Sequence, residues 1–474
     1  MFLWHKYATS PLYQTKIALR NSQGDVFTWQ QLYSLIKQQA LLFQQQGVKT
    51  GTGVALCGKN SFSLLLAYLA AIQSGARVLG INPSFPIDKI QQIMACYQCD
   101  FIFNTTSSQF ENSKNLTALS ITENQQYTDF EPETEANIDL HTVATLTLTS
   151  GSSGLPKAVA HSVQGHLDNA LGVCELTQFS AQKSWLLSLP LFHVSGQGII
   201  WRWLAMGAEL HLPQEDFYFS VSQASHCSLV PTQLQRLLDY WQQHPQLPRY
   251  TQHILLGGAQ IPTALTDKLA LYGVKSYSGY GMTEMGSTVC AKLSDGKHGV
   301  GQPLAGREVR LVFDEIWLRG AGLALGYWQQ GELHSLLNEQ GWFATKDKGI
   351  WQDNELRILG RLDNMFISGG ENIQPEEIEQ IIGQNEKVEQ VFVLPVDDAE
   401  FGQRPIAMIK FCDVFSQPAV DELKLWLTDK LEKFKQPVAY FPLILQTQGN
   451  IKISRHQIKA ELEQLLGKEY EDQK

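Results

Sequence analysis

Along the first third of the chain the apolar positions switch between two rhythms. In residues 28–45, Leu32, Leu35, Ile36, Leu41, Leu42 and Phe43 recur at a mostly helical period ahead of Gly47. That spacing predicts an amphipathic helix closed by the glycine. Residues 53–57 (GVALC), 77–81 (RVLGI) and 100–104 (DFIFN) are short β-prone runs, and residues 62–72 and 87–97 between them read as helices. Strands of this length alternating with helices predict parallel sheet with helices packed on its faces. The rhythm resumes at residues 185–189, 209–212, 227–230 and 253–256, each an expected strand. Residues 104–139 break it, being polar and short of periodic apolar positions, and are expected to be an irregular connection. No repeat of fixed period is present.

After Leu362 the character changes. Residues 375–382 read as a helix, 388–396 and 405–411 as strands, and 420–434 as an amphipathic helix. This α+β pattern of about 110 residues is long enough for a domain of its own. The expected fold is therefore α/β. A large N-terminal domain of helix-covered mixed or parallel sheets, residues 1–362, precedes a small α+β C-terminal domain, residues 363–474, on a hinge at Leu362-Asp363.

Composition narrows the function classes. Of 474 residues, 43% are hydrophobic and 18% charged, which supplies a sizeable core and excludes a disordered chain. Lys and Arg number 37 against 47 Asp and Glu, a formal charge of -10 that argues against nucleic acid as a partner. Seven scattered cysteines predict a reducing compartment, not a disulfide framework. The start, MFLWHKYATSPLYQ, lacks a signal-peptide pattern, and residues 62–72 are too few to span a bilayer. A cytoplasmic protein without a membrane span is expected, and a homo-oligomer is left open.

The richest chemistry lies in residues 145–157, TLTLTSGSSGLPK. A β-prone run leads into Thr149, Ser150, Gly151, Ser152, Ser153 and Gly154 and ends on Pro156-Lys157. Small residues let backbone N–H groups approach phosphate oxygens, hydroxyls add donors, and the lysine supplies charge. It is not the kinase-type P-loop, because no Gly-Lys-Ser/Thr closes it. Cys96-Tyr97-Gln98-Cys99 has CxxC spacing without a second pair, so two thiols on one helical face are expected in place of a zinc site. No Gly-x-Ser-x-Gly elbow is present.

Further motifs follow in order: Tyr280-Gly281-Met282-Thr283-Glu284, Gly341-Trp342-Phe343-Ala344-Thr345-Lys346-Asp347, Gly360-Arg361-Leu362-Asp363, Ser368-Gly369-Gly370-Glu371-Asn372-Ile373 and Ile451-Lys452-Ile453-Ser454-Arg455. Together with the Ser/Gly loop, the set resembles the adenylate-forming acyl-CoA synthetase superfamily, over nearly the whole chain. Residues 189–198 (LPLFHVSGQG), 201–204 (WRWL) and 257–262 (GGAQIP) resemble its branch that activates o-succinylbenzoate, an aromatic acid with two carboxylates.

The resemblance implies two half-reactions: ATP adenylates a carboxylate with the help of Mg²⁺, and CoA then displaces AMP. It implies that Thr149, Ser150, Gly151, Ser152, Ser153, Gly154 and Lys157 hold the β- and γ-phosphates, and that Thr283 contacts the α-phosphate. Glu284 would hold the magnesium, Tyr280 would lie against adenine, and Gly258 and Ala259 would join the nucleotide pocket. Asp347 would accept the ribose hydroxyls, although an Asp after an aromatic turn also suits a helix cap. Arg361 would add a ribose or phosphate contact, its alternative being a surface ion pair. Lys452 would bridge the substrate carboxylate and the α-phosphate. Ile451 stands where many relatives have glycine. His193 would wall and gate the acyl pocket beside Gly281, with a buried core histidine as the rival reading. Gly369 and Gly370 would leave room for the CoA arm. For the second carboxylate, Arg202 on an expected helix is the candidate, with an arginine stem covering apolar surface as its alternative. Glu371, Glu376, Glu377 and Glu379 are expected to form a solvated helix face.

Overall fold

The computed structural model describes residues 1–105, 117–121, 139–149, 155–398, 400–444 and 455–471. The chain divides into two compact units, Met1–Val309 with Leu318–Phe343, and Arg310–Trp317 with Ala344–Lys474.

The first unit holds two eight-stranded sheets. At the centre of one, Gly53–Cys57 pairs in parallel with Arg77–Ile81 and with Cys99–Asn104, as the alternating pattern predicts. Val143–Thr149 continues it in parallel, and Lys157–Ser162 and Gly326–Gln329 close it in antiparallel fashion. In the other, Ser184–Leu186, His226–Leu229, His253–Leu256 and Lys275–Met282 run parallel, and Ser287–Leu293 returns along the last. Both sheets are mixed.

The first long helix, Trp29–Gln45, starts at a capping box: Gln31 N–H donates to Thr28 Oγ1 at 3.2 Å, and Thr28 N–H donates to Gln31 Oε1 at 2.9 Å. Phe62–Gln73 is buried on every side from Leu64 to Ile72, which accounts for its unbroken apolar run. Among the described residues no helix is long and apolar enough to cross a membrane.

The second unit contains the antiparallel pair Phe343–Gln352 and Glu355–Arg361 and a five-stranded sheet. That sheet and the helices Pro375–Ile382 and Gln417–Leu427 share one core, which includes Ile373, Ile378, Ile409 and Leu423. The predicted boundary at 362/363 falls inside this unit, on the short 3₁₀ turn Leu362–Asn364 that joins Glu355–Arg361 to Phe366–Ser368.

Three local expectations need correction. The helix expected over 420–434 stops at Leu427, and Leu431 and Phe434 reach the same core from turns, which prolongs the apolar period without prolonging the helix. Cys96 and Cys99 do not share a helical face. Cys96 ends Ile87–Cys96, and Gln98, at φ 54, turns the chain so that Cys99 opens the next strand. Within the polar stretch 104–139, Thr117–Ala118 forms a short edge strand against Phe101 and Ile102.

Candidate active site

In the first unit, the strands Val143–Thr149 and Lys157–Ser162 pair so that Thr149 stands opposite Lys157. Ser150, Gly151, Ser152, Ser153 and Gly154 lie outside the described residues. Lys157 is exposed, with Nζ 4.8 Å from the centre of the Tyr327 ring. Tyr327 sits two strands across from Thr149's strand, opposite Val159, because Gly326–Gln329 pairs with the lysine's own strand. Its hydroxyl donates to Glu284 Oε1 at 2.9 Å.

Glu284 is only 8% exposed and lies in the 3₁₀ turn Thr283–Met285, directly after the strand that carries Tyr280. Buried Asn169 braces this turn, Nδ2 donating to the carbonyls of Met285 (2.8 Å) and Thr288 (3.1 Å). Gly281 must be glycine, since a Cβ there would run into the Ser287 carbonyl. Gly258 and Ala259 follow His253–Leu256, the parallel neighbour of the Tyr280 strand. Tyr280, Thr283, Gly258 and Ala259 thus gather at the carboxyl ends of adjacent parallel strands, where open α/β sheets bind ligands.

The acyl-side residues ride on one helix. His193 is the N-cap residue of Val194–Met206, and its ring lies tilted by 55° against Phe192 with centroids 4.6 Å apart. Burial pushes its imidazole down to about 4, so it is neutral near pH 7 and suits a wall better than a charged partner. Gln197 Nε2 donates to Thr147 Oγ1 (3.1 Å) and to the Leu191 carbonyl (3.2 Å), tying the His193 turn to the phosphate-side strand.

Arg202 lies two turns further on, 1% exposed. Its guanidinium sits 5.0 Å from the Trp185 ring centre, and Nη1 reaches Ser228 Oγ at 3.4 Å. Nε has no acceptor, and no carboxylate pairs with the group among the described residues. Burial drags its proton affinity down to about 10. This is not a stem laid over apolar surface with its head in water, so that alternative falls.

The second unit brings another pair together. Asp347 stands opposite Arg361 across its two strands, and Arg361 Nη1 donates to Asp347 Oδ1 at 3.1 Å. Arg361 also grips Asp363 with two bonds, Nε to Oδ1 at 2.9 Å and Nη2 to Oδ2 at 3.0 Å, holding that carboxyl below its ordinary range. Because Asp347 lies within Phe343–Gln352, the helix-cap reading does not apply. Gly369 (φ 58) and Gly370 (φ 89) make the turn between Phe366–Ser368 and Glu371–Ile373. A Cβ on Gly369 would come within 2.8 Å of the Phe401 ring.

Lys452 lies outside the described residues, but Arg455 does not. Its guanidinium donates to the Val393 carbonyl (2.7 Å) and to Glu379 Oε1 (2.6 Å), and reaches Glu376 at 3.2 Å. Glu376 and Glu379 are therefore not part of a solvated face; Glu371 and Glu377 are exposed as expected.

Magnesium needs few protein ligands, usually one or two carboxylates with phosphates and water completing the shell. No cluster of three or more His, Cys, Asp or Glu suited to a metal occurs among the described residues, and Glu284 offers the single carboxylate that such a site needs. Tyr327, Asn169 and Ser228 entered the site without any signal in the sequence, since each is recruited by strand pairing or packing from a distant segment.

The AMP-binding enzyme family matches residues 9–328, and the AMP-binding enzyme C-terminal domain matches residues 377–447. The chain is 57% identical to the 2-succinylbenzoate–CoA ligase of Haemophilus influenzae, over 97% of this chain and 98% of that one. It is 42% identical to the 2-succinylbenzoate–CoA ligase of Escherichia coli, over 94% of each. A solved structure of an arginine-to-lysine variant of E. coli MenE with bound OSB-AMS superposes with a TM-score of 0.86 at 41% identity, covering 97% of this chain and 98% of that one. By its matching segments, its motifs and its fold, the chain belongs to the AMP-binding enzyme family.

Proposed function

We propose that the chain is an ATP- and Mg²⁺-dependent acid–thiol ligase. It adenylates a carboxylate of 2-succinylbenzoate and passes the acyl group to CoA, giving 2-succinylbenzoyl-CoA, AMP and pyrophosphate, a step of menaquinone biosynthesis. The observation that carries the substrate is Arg202, a buried guanidinium with no carboxylate beside it among the described residues. A buried unpaired charge is costly, and a diacid supplies the missing anion. The ligases at 57% and 42% identity share the printed activity.

In this reading one carboxylate attacks the α-phosphate while Arg202 holds the other, with His193 and Gly281 against the acyl group. Thr283 meets the α-phosphate, and Thr149, Ser150, Gly151, Ser152, Ser153, Gly154 and Lys157 meet the phosphates beyond it. Tyr280, Gly258 and Ala259 hold the base, and Asp347 with Arg361 the ribose. Glu284 would hold magnesium, which would supply charge neutralisation for the departing pyrophosphate. Lys452 bridges carboxylate and α-phosphate, then must leave for thiol attack; we place the hinge at Leu362-Asp363 and the CoA arm at Gly369-Gly370. All seven cysteines stand unpaired, which suits the cytoplasm.

The test is pyrophosphate exchange and CoA-dependent AMP release with 2-succinylbenzoate and with analogues lacking either carboxylate. Strong preference for the diacid supports the reading. Equal turnover of monoacids points to another aryl- or acyl-CoA synthetase, and no exchange with any acid points to a silent nucleotide-binding homologue.

A further inference from the structure

Glu284 and Lys157 come from segments more than a hundred residues apart, yet both touch Tyr327. The phenol donates to Glu284 Oε1 at 2.9 Å, and the Lys157 ammonium lies over the ring face, 4.8 Å from its centre. The ring is half-buried and pinned by strand pairing, Tyr327 opposite Val159, so its position is set by backbone and not by the lysine. The Glu284 turn is braced separately, by Asn169 and by the Ala324 N–H that donates to the Glu284 carbonyl at 2.8 Å.

We infer that Tyr327 is a positioning residue for the metal–phosphate half of the site: its hydroxyl sets the carboxylate that takes the magnesium, and its ring face parks the lysine that meets the phosphates. The inference rests on the adenylation reading above. It uses two separable interactions of one side chain. A donor that orients a metal-ligating carboxylate typically matters 10–100-fold in metal affinity. A cation on an exposed aromatic face matters only a few-fold.

Two variants divide the roles. Tyr327→Phe removes the hydroxyl and keeps the ring; Tyr327→Leu removes both. Calorimetry measures ATP binding in EDTA and the gain in affinity on adding Mg²⁺, and pyrophosphate exchange is titrated with Mg²⁺. For Tyr327→Phe the Mg²⁺ concentration at half-maximal exchange rises about tenfold, and ATP affinity in EDTA is unchanged. Tyr327→Leu shows the same magnesium defect plus a loss of about threefold in EDTA. An unchanged magnesium titration for a folded Tyr327→Phe, or equal losses with and without metal, overturns the inference. Absence of ATP binding by the unsubstituted chain would instead overturn the ligase reading itself.

Discussion

Arg202 and Arg361 attract attention in the sequence for the same reason, a cation with an anion to hold, and the fold places them in opposite surroundings. Arg202 is sealed inside the first unit with one long bond to Ser228 and no counter-charge among the described residues. Arg361 lies on a strand end of the second unit and is 43% exposed at its side chain, with Asp347 and Asp363 both in contact. The first carries an electrostatic cost that a bound carboxylate would relieve. The second is satisfied by the protein and is screened by solvent. A cation without its anion says more about a ligand than one already paired.

The largest test concerns a residue of the second unit that no such cost reveals. Lys452→Ala is expected to lower acid-dependent pyrophosphate exchange by roughly 10²–10³-fold, the usual effect of losing one transition-state charge donor. Thioester formation from synthetic acyl-adenylate should be spared, and an equal loss in both assays would refute the bridging role.

Acidity probes the buried groups of the first unit. Burial pushes His161 down to about 4, His253 to about 4 and His226 to about 3, and His166 well below its ordinary value. The unfolded chain takes up these protons near pH 6.5 while the folded one resists. Stability should therefore be full above pH 6.5 and fall as the pH drops towards 4, by on the order of 3 kcal/mol for His161 alone. All the rings pushed down by burial lie in the first unit, so chemical denaturation at pH 7 and pH 5 should weaken that unit selectively. An unchanged midpoint would contradict the buried neutral rings.

Arg202→Met addresses the comparison directly. It should cut kcat/KM for the diacid by about a hundredfold, near 2.7 kcal/mol, and leave a monoacid analogue almost untouched. Removing the buried charge should also raise the melting temperature of the unliganded protein. A parallel loss for both acids would return the residue to a packing role.

Arg361→Ala is the smallest effect. About a fivefold rise in KM for ATP is expected, near 1 kcal/mol, with melting unchanged because its ion pairs are solvent-screened. A loss as large as that of Arg202→Met would erase the distinction between the two sites.

Much of the fold was legible because it is local. Gly53–Cys57, Arg77–Ile81, His253–Leu256 and Pro375–Ile382 form at the residues where period and composition predict them. The helix Trp29–Gln45 likewise forms where its apolar period predicts it. The overlong helix at 420–434 has a simple cause: apolar periodicity reports what faces the core, and the bend carrying Leu431 can face it as well as a helix does. Likewise the run of glutamates reads as solvated until Arg455, distant in sequence, is folded against two of them.

From the sequence came the class of chemistry, because the Ser/Gly loop ending on Lys157 reads as phosphate-binding and the ordered motifs after it resemble a known family, which implies the adenylating roles of Thr283, Glu284 and Asp347. Tertiary structure alone decided which charges lack a partner and which side chains join distant motifs, as with Arg202 in its apolar helix and Tyr327 between Lys157 and Glu284. Desolvation and hydrogen bonding depend on what surrounds an atom in space, and the order of residues along a chain does not contain those surroundings until the sheets pair.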